Sequence, residues 1–164
     1  MVGLESSGKT TLVQVISDGR SIETAPTIGL NVRMAKRGGV NIKMWDLGGQ
    51  SQYREEWGRY TRGCDAILFV VDTHATHLFG DAKKELHRLL EDKDLATTPL
   101  LVVANKVDLQ PHASEATLIK ELNLDYILDN PWVVVPCSAL KTINIDEIVQ
   151  WLIRQSNSSG SRKK

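Results

Sequence analysis

Near the start of the chain, Gly3-Leu4-Glu5-Ser6-Ser7-Gly8-Lys9-Thr10 fits the pattern G-x-x-x-x-G-K-[ST] at every fixed position. Few short patterns restrict a fold as much, because this one works only as a turn between a strand and a helix. The glycines let the backbone curl until successive N–H groups face one point, at the N-terminus of a helix whose dipole favours anions. A chain of phosphates is what such a turn cradles, with Gly3, Glu5, Ser6, Ser7 and Gly8 forming the loop. Lys9 is placed to hold the β- and γ-phosphates, and the Thr10 hydroxyl to bind Mg²⁺.

The remaining sequence alternates strand and helix. Nearly unbroken apolar runs at 66–71, 100–104 and 132–135 read as strands buried on both faces, which points to a parallel sheet covered by helices. Residues 81–90 carry Leu86, Leu89 and Leu90 at helical spacing, 114–122 open with a cap-like Ser114, and 143–153 place Ile145, Ile148, Val149 and Leu152 on one stripe. Runs at 32–34 and 40–45 flank Gly38-Gly39, a dipeptide that reaches positive φ at no steric cost and so marks a hairpin. The expected fold is α/β, a three-layer nucleoside triphosphatase with a mostly parallel sheet, one antiparallel edge hairpin, and a first strand largely missing because only Met1-Val2 precede the loop. One domain is expected over 1–155, followed by a small, polar and basic tail over 156–164 that frays.

Composition removes several function classes. Lys and Arg total 20 and Asp and Glu total 20, so bulk charge offers nothing to nucleic acid. Cys64 and Cys137 match no metal-ligand spacing, and a reducing, intracellular setting is the simplest expectation. The run at 66–71 is far short of the ~20 residues that span a bilayer, and no charged-then-apolar leader opens the chain. His74 and His77, near Asp72, lack a carboxylate at helical ligand spacing and read as a polar segment after a strand.

Three further segments fall at predicted strand ends, where ligands of parallel sheets bind. In Trp45-Asp46-Leu47-Gly48-Gly49-Gln50, Asp46 is placed to hold Mg²⁺, through water. Gly49 offers an N–H to the γ-phosphate and Gln50 orients an attacking water. In Asn105-Lys106-Val107-Asp108, the Asp108 carboxylate can accept from both N1–H and the 2-amino group of guanine, whereas adenine presents an acceptor at that edge. The stem of Lys106 covers one base face and Asn105 ties neighbouring loops. In Cys137-Ser138-Ala139, beside the base, the Ala139 N–H is placed to reach guanine O6.

These segments, in this order, resemble a Ras-type small GTPase, and Pro26-Thr27-Ile28-Gly29, the Trp45–Gln50 segment, Trp57 and Tyr60 are similar to Arf-like members of that group. The resemblance implies a Ras-like fold that binds GTP or GDP with Mg²⁺. It also implies that Thr27 reaches Mg²⁺ and the γ-phosphate in the GTP state, and that Thr11 touches the α-phosphate. An effector would bind through Trp45, Tyr60 and the switch segments. Arg59-Tyr60-Thr61-Arg62-Gly63, Asn144-Ile145-Asp146 and Gln150-Trp151-Leu152-Ile153 are similar to the branch that positions lysosomes. That implies a cytoplasmic monomer, peripherally bound to late-endosomal or lysosomal membranes in the complete protein.

The chain departs from the family pattern in three places. Neither the usual N-terminal amphipathic helix nor a full first strand precedes Gly3, so the chain as written is expected not to bind membranes by itself. Leu30 stands where the exposed aromatic trio usually has Phe, and Glu5 where Ras-type loops have Gly.

The leading expectation is a switch that hydrolyses GTP slowly, since no arginine finger is identifiable in cis, and that needs an exchange factor and an activating protein. The alternative is a nucleotide-locked scaffold without efficient cycling, against which Gln50 and Thr27 argue and for which Glu5 and the short N-terminus argue. A small-molecule kinase would have none for Asp108.

Overall fold

The computed structural model describes residues 1–21 and 25–162. Its helices are α1 (Lys9–Asp18), α2 (Ser51–Arg54), α3 (Trp57–Thr61), α4 (Phe79–Leu90), α5 (Glu115–Glu121) and α6 (Ile145–Arg162). Strands β1 (Leu30–Arg37) and β2 (Val40–Leu47) pair as an antiparallel hairpin, while β3 (Ile67–Asp72), β4 (Leu100–Asn105) and β5 (Trp132–Pro136) form a parallel sheet in that order.

The apolar runs are continuous because the parallel strands face helices on both sides. Ile67, Phe69, Val71, Leu100, Val102, Ala104 and Val134 point to one layer, where they meet Phe79, Ala82, Leu86 and Leu89 of α4 and Leu118 of α5. The intervening residues Leu68, Val70, Leu101, Val103 and Val135 point to the other, against Leu12, Val13 and Ile16 of α1 and Ile148 and Trp151 of α6. This period of two along each strand, set against 3.6-residue stripes on the helices, produces the three layers. The Ser114 hydroxyl accepts from the Thr117 N–H at 3.2 Å and starts α5 where the sequence places a cap.

Gly38 and Gly39 have φ of 54° and 76°, the pair of left-handed residues that a two-residue turn matching strand twist requires. The hairpin meets the parallel sheet through the first two residues of the chain. Val2 lies parallel to β3, donating to the Leu68 carbonyl and accepting from the Val70 N–H, each at 2.9 Å. On the other side, the Met1 amino group donates to the Trp45 carbonyl at 2.6 Å and the Met1 carbonyl accepts from the Leu47 N–H at 3.2 Å. Met1 and Val2 thus keep the place of the strand expected to be largely missing, and Val2 delivers the chain into Gly3.

The last helix outruns the sequence expectation of a tail that frays from Ser156, continuing through Arg162. Ser158 and Ser159 donate from their hydroxyls to the carbonyls of Arg154 and Gln155, at 3.1 and 3.0 Å, so side chains that would otherwise compete with the backbone are used within the helix. Lys163 and Lys164, from the basic end of the expected tail, lie outside the described residues. Among the described residues no helix is long and apolar enough to cross a membrane.

Candidate functional site

Val2, β2, β4 and β5 all run out toward one edge, and the four motif segments follow them there. They enclose a cleft of about 390 Å³ lined by Lys9, Thr11, Thr27, Gln50, Lys106 and Asp108 among others, a volume in the range of small-molecule sites. Glu5, Ser6, Gly8, Thr10, Gly49, Asn105 and Ala139 also line it. Ser7, Asp46 and Ser138 are buried behind it.

The floor is the loop before α1. Gly8 caps that helix in the left-handed region, at φ 98°, with no side chain on the free N–H groups. A Cβ at Gly3 would collide with the Val70 carbonyl oxygen, and one at Gly8 with Asn105 Nδ2. Asn105 donates from Nδ2 to the Ser7 carbonyl at 2.9 Å, tying the loop to the end of β4. Lys9 folds back over the loop, and its Nζ donates to the carbonyls of Gly3 and Leu4, each at 2.9 Å.

Burial lowers the Lys9 pKa from 10.5 to about 8, with Asp46 opposing the shift. Below pH 8 folded and unfolded chains both carry the proton, and the full penalty of burying the ammonium stands. Between pH 8 and 10.5 the unfolded chain binds more protons, so stability rises with pH. Nucleotide-free protein is therefore expected to gain up to about 3 kcal/mol from this group across that window. Urea unfolding at a series of pH values checks this: Lys9→Met should lack the rise, and bound nucleotide, whose phosphates hold the ammonium charged, should abolish it.

Beside Lys9 three oxygens converge. The Thr10 hydroxyl donates to Asp46 Oδ2 at 2.6 Å and shares a 2.7 Å contact with the Thr27 hydroxyl, which donates to the same oxygen at 3.2 Å. Asp46 is fully buried, and its Oδ1 has no hydrogen-bond partner. Two hydroxyls and a carboxylate are hard ligands, few enough that an ion here would keep waters or phosphate oxygens, as Mg²⁺ does. An unpaired carboxylate oxygen in a buried site is what such an ion would satisfy. The residues fit it.

At the outer end, a Cβ on Gly49 would come within 2.5 Å of Leu4 C, Glu5 N and Lys9 Nζ, so only glycine can lie this close to the loop. The Gly49 carbonyl accepts from the Glu5 N–H at 3.0 Å and from Arg54 Nε at 2.9 Å. Gln50 Nε2 donates to Glu5 Oε1 at 3.2 Å. Gly48 bonds the Gly29 carbonyl through its N–H at 2.8 Å and accepts from the Trp57 indole at 3.0 Å, which links the Thr27 and Gln50 segments.

At the opposite end, Asp108 Oδ1 accepts from the Ser138 hydroxyl at 2.7 Å, which leaves Oδ2 and the second lone pair of Oδ1 for a ligand. Lys106, at φ 70°, donates from Nζ to the Ser6 carbonyl at 2.5 Å and pairs with Asp72 at 2.8 Å, which lays its stem across the cleft. The Ala139 N–H, expected at guanine O6, lies beside the cleft and donates to Asn105 Oδ1 at 3.0 Å. The same carboxamide that holds the phosphate loop also holds the loop after β5.

A family model described as the ADP-ribosylation factor family matches residues 1–156. The chain belongs to that family. It is 39% identical over 160 residues to ADP-ribosylation factor-like protein 8b of Arabidopsis thaliana, covering 97% of this chain and 87% of the relative. Its fold is similar to the Arl6 BBS3 small GTPase of Trypanosoma brucei, solved with the nucleotide analogue GppNp, with a TM-score of 0.87 at 29% identity over 100% of this chain and 96% of the other. A chain of the mammalian SRP receptor shares the fold alone, with a TM-score of 0.85 at 22% identity over 94% of this chain and 97% of that one. As an Arf-family small GTPase the chain is a GTP-binding switch, in a family of GTP hydrolases that work with effectors, exchange factors and activating proteins.

Two site residues escaped the sequence reading of this Arf-family chain. Asp72, which pins Lys106, ends β3 at the carboxyl edge, and the strand-end rule that found Asp46 and Asn105 would have found it too. Arg54 carries no such signal, because its role depends on α2 turning its guanidinium back onto Gly49. His74, set aside as a metal ligand, bonds the Pro111 carbonyl through Nδ1 at 2.7 Å.

Proposed function

We propose that this chain is a guanine-specific switch of intracellular membrane traffic at late endosomes or lysosomes, cycling between GTP and GDP as a monomer with slow intrinsic hydrolysis. The observation that carries the reading is the buried cluster of Thr10, Thr27 and Asp46 beside Lys9, at the head of a cleft that ends at Asp108. Thr27 comes from the segment before β1, so a ligand held there reports its presence to the hairpin.

Thr10, Thr27 and Asp46 would hold Mg²⁺, which neutralises charge on the phosphates when bound. The loop N–H groups and Lys9 bind the β- and γ-phosphates, and Thr11 lies along the cleft toward the α-phosphate. Water attacks the γ-phosphorus, the bond to the bridging oxygen breaks with its electron pair passing to GDP, and the water proton ends on the released phosphate. Gln50 places that water. Arg54 already serves the Gly49 carbonyl and lies 3.8 Å from Glu85, so a stabilising arginine is left for an activating protein to supply.

Loss of the γ-phosphate removes the ligand that Thr27 and Gly49 share, and the surface between them changes. That surface includes Trp45 and Tyr60, with ring centroids 6.3 Å apart and Lys43 Nζ 4.6 Å from the Trp45 ring, an aromatic patch suited to an effector. The membrane assignment rests on the similarity to the lysosome-positioning Arf-like branch.

The nucleotide retained on purification, eluted and identified by chromatography with and without chelator, tests the reading; ATP or no nucleotide would defeat it. Gln50→Leu should keep GDP affinity and slow single-turnover hydrolysis by about tenfold, because it removes a group that acts on water and not on bound phosphate.

A further inference from the structure

Glu5 touches the segment after β2 twice. Its N–H donates to the Gly49 carbonyl at 3.0 Å, and its carboxylate accepts from Gln50 Nε2 at 3.2 Å. The phosphate loop is thereby joined to the side chain that places the attacking water. A carboxamide can be turned end for end with little change of shape, yet its two ends are opposite in chemistry. To align a water for attack, Oε1 must accept the water proton while the water lone pair faces phosphorus. A carboxylate can only accept, so beside Gln50 it attracts Nε2 and repels Oε1.

We propose that Glu5 is a positioning residue for hydrolysis, whose carboxylate holds Nε2 of Gln50 and so presents Oε1 to the attacking water. The proposal rests on the assignment of Gln50 above. Glu5 is exposed, and its contact to Gly49 runs through the backbone, so substitution of the side chain removes the Gln50 contact and leaves the core and the Gly49 bond in place.

The test compares Glu5→Ala, Glu5→Gln, Gln50→Leu and the Glu5→Ala/Gln50→Leu double variant in single-turnover GTP hydrolysis with Mg²⁺. Glu5→Ala should slow hydrolysis about fivefold, the worth of one hydrogen bond, with GDP affinity changed less than about twofold. Glu5→Gln, which keeps an acceptor oxygen, should recover most of the rate. In the Gln50→Leu background, Glu5→Ala should slow hydrolysis no further, since its route of action is gone.

A readout independent of turnover is the side-chain amide ¹H–¹⁵N pair of Gln50 in the GDP-bound protein, assigned by its loss in Gln50→Leu. It should shift in Glu5→Ala and return toward the wild-type position in Glu5→Gln. If Gln50→Leu is slow while Glu5→Ala is as fast as wild type or faster, or if the Gln50 amide is unmoved by Glu5→Ala, the proposal is overturned and the assignment of Gln50 stands. If Gln50→Leu hydrolyses at the wild-type rate, both fall.

Discussion

Replacing Asp108 with Ala is expected to weaken GDP binding roughly a thousandfold, the loss of two charge-assisted hydrogen bonds of about 2 kcal/mol each. Asp108 is pre-oriented for them: the Ser138 hydroxyl occupies Oδ1 at 2.7 Å, which fixes the carboxyl plane before any base arrives. Guanine presents two donors at N1 and the 2-amino group, and a carboxylate meets both. Adenine presents a bare ring nitrogen and a C–H there, so wild-type protein should take ATP at least a thousandfold more weakly than GTP.

The complementary variant separates recognition from general damage to the loop. Asp108→Asn offers one acceptor and one donor, the pattern that matches xanthine, whose 2-position carries a carbonyl. It should lose GDP and gain xanthosine diphosphate. Titration with fluorescent forms of the three nucleotides decides the matter, and equal GDP affinity in wild type and Asp108→Ala would remove Asp108 from recognition.

The parts of the site that were legible in the sequence are those whose chemistry is local. Lys9, Thr10, Asp46, Asn105 and Asp108 each lie in a short motif whose spacing states the backbone geometry, and strand ends bring the motifs together without further information. The core strands were legible for a related reason: a run such as Leu100–Asn105, buried on both faces, has no polar position to blur its limits. What was not legible depends on approach between distant segments. Arg54 matters because of Gly49 and Glu85, and no pattern along the chain encodes those distances. The bond from the Ala139 N–H to the carboxamide of Asn105, 34 positions away, was hidden for the same reason. The end of α6 was missed on local grounds, since serine weakens a helix on average but supports one when its hydroxyl bonds a carbonyl four residues back.

The second large effect is expected at Asp46. A carboxylate separated from a divalent cation by about 4 Å gains about 8 kcal/mol at an effective dielectric constant of about 20, and even half of that, after desolvation, is roughly a thousandfold in affinity. Asp46→Asn preserves shape and removes the charge, so Mg²⁺ affinity in the presence of GDP should fall by about that factor. In wild type, chelation of Mg²⁺ should accelerate GDP release; in Asp46→Asn, release should be fast already and indifferent to chelator. The variant also separates ligand loss from misfolding. Asp46 is fully buried with Oδ1 unpartnered, so in the absence of nucleotide and metal its charge is a burden on the fold that the nearby Lys9 ammonium only partly offsets. Nucleotide-free Asp46→Asn should therefore melt no lower than nucleotide-free wild type, while losing the stabilisation that GDP with Mg²⁺ confers. Retention of chelator-sensitive GDP release in the variant would mean that the ion is held elsewhere.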